Sequence, residues 1–215
     1  MAPATFVLIA VNVAAYLFEV AGGAGGLSSV SGSVINDYGL RGISVADGEW
    51  YRLVTGGFLH ASLFHIGFNM LLLFFLGRLL EPALGTPRFL ALYFASLLAG
   101  ALGALLLSDP IVTTVGASGA VFGLFGAGFI LAQARGMSAL AGELGFLIVI
   151  NLVFSFTASH ISVGGHLGGL AGGLLCAGVI LAGERGMLGR RRLPAELLAM
   201  AAIGIVAAVA AIAVA

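Results

Sequence analysis

Seven stretches of this chain, near residues 4–21, 61–80, 88–107, 118–133, 142–158, 161–182 and 195–215, are almost free of charge, and they constrain the fold more than any other feature. A bilayer core about 30 Å thick is crossed by roughly 20 apolar residues rising about 1.5 Å each, so every stretch reads as a candidate membrane span. Little chain is left over for a soluble domain. Residues 1–215 are therefore expected to form one membrane-embedded, all-α polytopic helix bundle. The composition agrees, since 60% of residues are hydrophobic and 8% charged, far outside the range of soluble domains.

With formal net charge zero, orientation rests on where the arginines fall. Arg78, Arg88, Arg135, Arg185, Arg190, Arg191 and Arg192 are assigned to the second, fourth and sixth connections, and only Arg41 and Arg52 to the others. The even connections are thus expected in the cytoplasm, with the amino terminus inside and the long first loop, residues 22–60, outside. The first span lacks the basic start of a cleavable signal. Absence of lysine beside abundant Ala, Gly and Arg hints at a GC-rich bacterial genome, hence a bacterial inner membrane. The lone Cys176 excludes an intramolecular disulfide and is expected as a small buried helix residue.

Gly22, Gly23, Gly25 and Gly26 end the first span, and structure is expected to resume at GEWYRLVTGGFLH, residues 48–60. Trp50 and Tyr51 beside Glu49 and Arg52 suit a segment at headgroup level, either as a plain anchor or shaping the access of a substrate. Further on, Gly119 with Gly123, Gly165 with Gly169 and Gly169 with Gly173 are spaced four apart. Such faces let the fourth and sixth spans approach closely in lipid, where association depends on packing contacts.

Polar side chains within spans are costly, so each one facing the bundle interior is a functional candidate. His60 stands at the edge of the second span, with His65 and Asn69 one helical turn apart inside it; His166 lies in the sixth span, and the fourth opens at Ser118. Spans two, four and six run in the same direction, which turns position into depth. Asn69 is then about 12 Å and His166 about 8 Å below the outer surface. The fourth span, at 16 residues or about 24 Å, falls short of the hydrocarbon core, so its outer end starts about 6 Å down. Ser118, His166 and Asn69 are thus expected in one layer. A serine at a helix start between Gly116 and Gly119 has unused backbone N–H groups and the positive helix end beside it, which suits a developing oxyanion. A neutral histidine is a competent base for its hydroxyl. No carboxylate lies in a span near His166, so Phe122, one turn after Ser118, is expected to pack on the ring.

GASG opening the fourth span, GGHLGG around His166 and HASLFHIGFN opening the second are similar to the rhomboid family of intramembrane serine proteases, with a match from about Glu49 to Gly173. The resemblance implies a catalytic dyad of Ser118 and His166, with Asn69, His65 and the Ser118 N–H around the oxyanion. It also implies a membrane-embedded loop at GEWYRLVTGG, whose Arg52 matches the family's aromatic-arginine pair. Tyr51 stands where that family usually has tryptophan, and Phe122 where a tyrosine often stacks on the catalytic histidine. The implied architecture is a six-helix core, about residues 1–182, with a seventh helix at about 195–215. The implied reaction is endopeptidase cleavage of single-span membrane proteins near the outer face, with no cofactor or metal and with lipid rather than nucleic acid as surroundings.

Other readings are weaker. His160 competes with His166 as the base but lies some 240° around a continuous helix and closer to the outer loop. Ser96, Ser155 and Ser162 lack the flanking glycines and are expected to bond back to their own helices. A metal site from His60, His65 and His166 lacks any His-Glu helix motif. A channel or transporter would show matching repeated halves, which are absent, and a proteolytically inactive membrane-protein-binding relative would have lost Ser118 or His166.

Overall fold

The computed structural model describes the chain except for residues 24, 25, 27–29, 31, 158–160, 190 and 191. Among the described residues it consists of ten α-helices: α1 (Pro3–Gly22), α2 (Ser33–Tyr38), α3 (Gly42–Ala46), α4 (Arg52–Thr55), α5 (Leu63–Leu84), α6 (Thr86–Leu107), α7 (Ser118–Ala134), α8 (Ser138–Thr157), α9 (Val163–Glu184) and α10 (Arg192–Val214). The seven long helices answer to the seven apolar stretches. Six of them are long and apolar enough to cross a membrane, while α7 has only 17 residues.

α7 is the shaft of the bundle. Every residue from Ala120 to Gly128 is buried, as are Leu131 and Ala132, because α5, α6, α8 and α9 all pack against it. A helix apolar on all sides is stable only when enclosed in this way or in lipid. Its closest neighbour is α9, which also packs tightly on α6. The glycines explain the approach: a Cβ on Gly169 would lie 2.8 Å from Gly119 Cα and run into the Gly119 carbonyl, and one on Gly173 would meet the Gly123 carbonyl in the same way.

Two helix boundaries differ from the sequence expectation. α5 runs on to Leu84, so Arg78 lies within a helix rather than in a connection. The extension is held by Glu81, whose buried carboxylate accepts from the backbone N–H groups of Ala4 (2.9 Å) and Thr5 (2.8 Å) and from the hydroxyls of Thr5 and Thr86 (2.7 Å each). Glu81 thus supplies the first turn of α1 with the acceptors that its unused donors need. We expect Glu81→Ala to cost about 3 kcal/mol, since it strands several buried donors at once, and Glu81→Gln to cost less; thermal unfolding in detergent checks both. α9 starts at Val163 because Ser162 caps it, its Oγ accepting from Gly165 N at 3.0 Å. Ser162 therefore caps the helix rather than bonding back within it.

The connection between α1 and α5 carries the three short helices and a 3-10 turn at Gly56–Phe58. Arg52, nearly buried, ties the connection together by pairing with Glu49 and donating through Nη1 to the carbonyls of Asn36 (2.7 Å) and Gly39 (2.8 Å). Trp50 and Tyr51 remain exposed. Leu40 and Thr114 exchange backbone hydrogen bonds at 3.0 and 2.8 Å, and Gly116 N donates to Gly56 O at 2.9 Å. The segment leading into α7 is thereby fastened to the first loop.

Candidate active site

Ser118 is the first residue of α7, following Ala117. The first helical hydrogen bond there runs from Val121 N to Ala117 O at 3.0 Å, so the N–H groups of Ser118, Gly119 and Ala120 are not consumed by the helix. The chain reaches this start through Gly116 at φ +127°, a conformation that favours glycine. A side chain at Gly116 would also press on His65, with its Cβ 2.7 Å from Nε2, and would lie 3.8 Å from Ser118 Oγ. His65 and Ser118 thus face the same small space above Gly116.

His166 stands in the first turn of α9, buried. Phe122, one turn along α7 from Ser118, stacks on its imidazole with centroids 4.1 Å apart and planes 20° apart. Gly119 lies alongside Gly165, a Cβ there being 3.3 Å from the Gly165 carbonyl oxygen. The turn carrying Ser118 therefore abuts the turn carrying His166. Among the described residues no hydrogen bond joins the two side chains. Instead His166 Nδ1 lies 2.6 Å from Ser155 Oγ on α8. Ser155 does bond back to its own helix, at 2.7 Å to Asn151 O, but it also reaches His166, which the sequence expectation missed. Ser96 bonds to nothing among the described residues; its buried Oγ lies against Gly123.

Asn69 is buried one turn below His65 and donates through Nδ2 to the His65 carbonyl at 2.9 Å. The turn ahead of it is built by Ser62, which accepts from His65 N at 3.2 Å, and by Glu19 of α1, whose buried carboxylate accepts from His60 N at 3.0 and 3.2 Å. The fully buried His60 ring meets the His65 ring edge-on at 5.0 Å. Burial, with His65 alongside, pushes the His60 imidazole down to about 3, so it stays neutral. Glu19 carried a sequence signal that went unread: an acidic residue within a span is expensive and implies a buried partner. Among the described residues no group of three or more His, Cys, Asp or Glu side chains is placed to hold a metal ion. His160 lies outside the described residues, as do Gly25, Arg190 and Arg191.

A cavity of about 40 Å³ opens beside Ser118, bordered by Leu40, Gly56, Thr114, Gly116 and Ser162. That is room for a water molecule.

A family model of the rhomboid domain matches residues 47–183, which span the end of the first loop, the α7 start and all of α9 but its last residue. The chain belongs to the rhomboid family. Rhomboid protease GluP of Bacillus subtilis is 34% identical to it over 93% of this chain and 39% of its own length. Putative rhomboid protease YdcA of the same organism is 39% identical over 62% of this chain and 68% of its own length. Rhomboid protease GlpG of Yersinia pestis is 34% identical over 59% of this chain and 47% of its own length. The chain thus spans well under half of GluP and about two thirds of YdcA. With six apolar candidate spans and a rhomboid domain, the protein is an integral multi-pass membrane protein with an all-helical bundle.

Proposed function

We propose that this rhomboid protein is an intramembrane serine endopeptidase that cuts transmembrane segments of single-span membrane proteins near the outer face of the bilayer. Residues 1–215 act as one membrane-embedded domain, a core of about residues 1–182 plus the last helix. The arginine distribution supports a cytoplasmic amino terminus, and the lysine-free composition rich in Ala, Gly and Arg supports a bacterial inner membrane. The observation that carries the reading is the stacking of Phe122 on His166, which supports His166 as a base for Ser118 at the start of the helix that carries Phe122.

In this mechanism the substrate's arrival aligns Ser118 Oγ with His166 Nε2, a contact that commonly tightens only once substrate is bound. His166 takes the hydroxyl proton as Ser118 attacks the scissile carbonyl carbon. The oxyanion is met by N–H groups at the start of α7 and by Asn69 and His65 from α5. His166 then passes its proton to the departing amine, and a water deprotonated by the same ring hydrolyses the acyl-enzyme. No cofactor takes part. An intact helix hides its carbonyl carbons in its own hydrogen bonds, so the preferred cut lies near small or helix-breaking residues.

Incubating the purified protein in liposomes with single-span proteins bearing such residues tests the reading: discrete cleavage near the outer end is expected, and its absence across a broad panel would remove it. Within this mechanism Asn69→Ala is expected to lower kcat by about 10- to 1000-fold with the fold retained, as for loss of one oxyanion donor. Equal rates would take Asn69 out of that role.

A further inference from the structure

We propose that Ser155 is a positioning residue that fixes the tautomer of His166, holding a proton on Nδ1 and leaving Nε2 free to act as the base. The inference rests on the assignment of His166 as the base.

The geometry favours one assignment of hydrogens. Ser155 Oγ lies 2.7 Å from Asn151 O and 2.6 Å from His166 Nδ1. A hydroxyl has a single hydrogen, and a backbone carbonyl can only accept, so that hydrogen points to Asn151. Towards the ring, Ser155 Oγ is then an acceptor. The short contact requires N–H at Nδ1, and a neutral imidazole with its proton there has its lone pair on Nε2. Nε2 has no partner among the described residues. The ring is thus held on its face by Phe122 and at one nitrogen by Ser155, with the other nitrogen unengaged.

The surroundings fit this role. Among the described residues of α8 only Ala141, Leu144 and Ser155 are buried. Val153, Phe154 and Phe156, around Ser155, are exposed apolar side chains suited to lipid. One hydroxyl alone turns inward at that end of the helix, and it meets the imidazole. Unlike a carboxylate, a neutral hydroxyl gives the imidazolium little charge stabilisation, but it sets tautomer and orientation, as a ring nitrogen's outer hydrogen bond does for metal-bound histidines.

The test is nitrogen NMR of full-length protein labelled with ¹⁵N-histidine in liposomes at about pH 8, alongside kinetics on a single-span substrate. In wild type, His166 should show a protonated Nδ1 and an unprotonated Nε2. Ser155→Ala should leave a mixture of tautomers and lower kcat by about 10-fold, the lower end for loss of such a partner, with KM unchanged. Ser155→Thr, which keeps the hydroxyl, should restore both readouts. A merely structural serine would lower the unfolding temperature of Ser155→Ala without changing the nitrogen shifts. Wild-type shifts in Ser155→Ala, or a wild-type His166 protonated at Nε2 alone, would overturn the proposal even where cleavage proceeds. Cleavage that survives in both Ser118→Ala and His166→Ala would instead refute the dyad, whatever the shifts.

Discussion

Ser118→Ala is expected to abolish proteolysis, lowering kcat by about 10⁴-fold or more, and to erase labelling by a fluorophosphonate probe, because its hydroxyl opens α7 with unused N–H groups beside it, on the turn that abuts the one carrying His166. His166→Ala should cost about as much, and the double variant hardly more, since nucleophile and base act as one unit. The serine variant is the cleaner of the two. Its side chain makes no hydrogen bond within the described structure, so stability should stay within about 0.5 kcal/mol of wild type. His166→Ala also removes the ring stacked on Phe122 and the partner of Ser155, so its loss of activity must be read beside its unfolding temperature. Undiminished cleavage of a single-span substrate by Ser118→Ala would end the serine-protease reading.

The second large effect concerns the fold. Gly173→Ala should destabilise the protein by about 3 kcal/mol, at the upper end for overpacking, because the added methyl meets the backbone of Gly123 rather than a side chain that can swing away. In a domain of this size that lowers the unfolding midpoint by roughly 10 °C. Gly178→Ala, on the same helix, is the control: nothing lies within 4 Å of a Cβ built there. Alanine has the better helix propensity by about 1 kcal/mol, so this variant should be neutral or more stable. Gly173→Ala would also push α9 away from α7, and with it His166 from Ser118, so activity should fall together with stability. Equal melting temperatures for the two variants would refute the close-packed α7–α9 seam.

Much of this molecule was legible in its sequence, and what was legible follows a simple rule. Features that depend on neighbours along the chain could be read. The seven long helices followed from the length of apolar runs, the α7 start from a serine between Gly116 and Gly119, and the α7–α9 seam from glycines four residues apart. Ser118 and His166 stood out as candidates because polar side chains are rare in these spans. Phe122 was picked out by helical spacing and by its place in the family resemblance, and its ring does lie on His166.

What could not be read is which side of each helix turns inward. In an amphipathic helix the apolar stripe reveals that face; here the spans are apolar all round, since lipid and protein interior accept the same side chains. Ser155 therefore looked like any serine bonded back to its own helix, and only the rotation of α8 against α9 brought it to His166. Glu19 announced by its charge within a span that a partner must exist, while Glu81 stood just past the second apolar stretch; His60 N and the first turn of α1 became their partners through contacts 41 to 77 residues apart in sequence. Hydropathy and local spacing determined what crosses the membrane and where helices begin. The tertiary structure alone decided which polar groups meet, because in a chain this apolar the helices are oriented by steric fit between glycine backbones and by the need of a few buried polar atoms for hydrogen bonds.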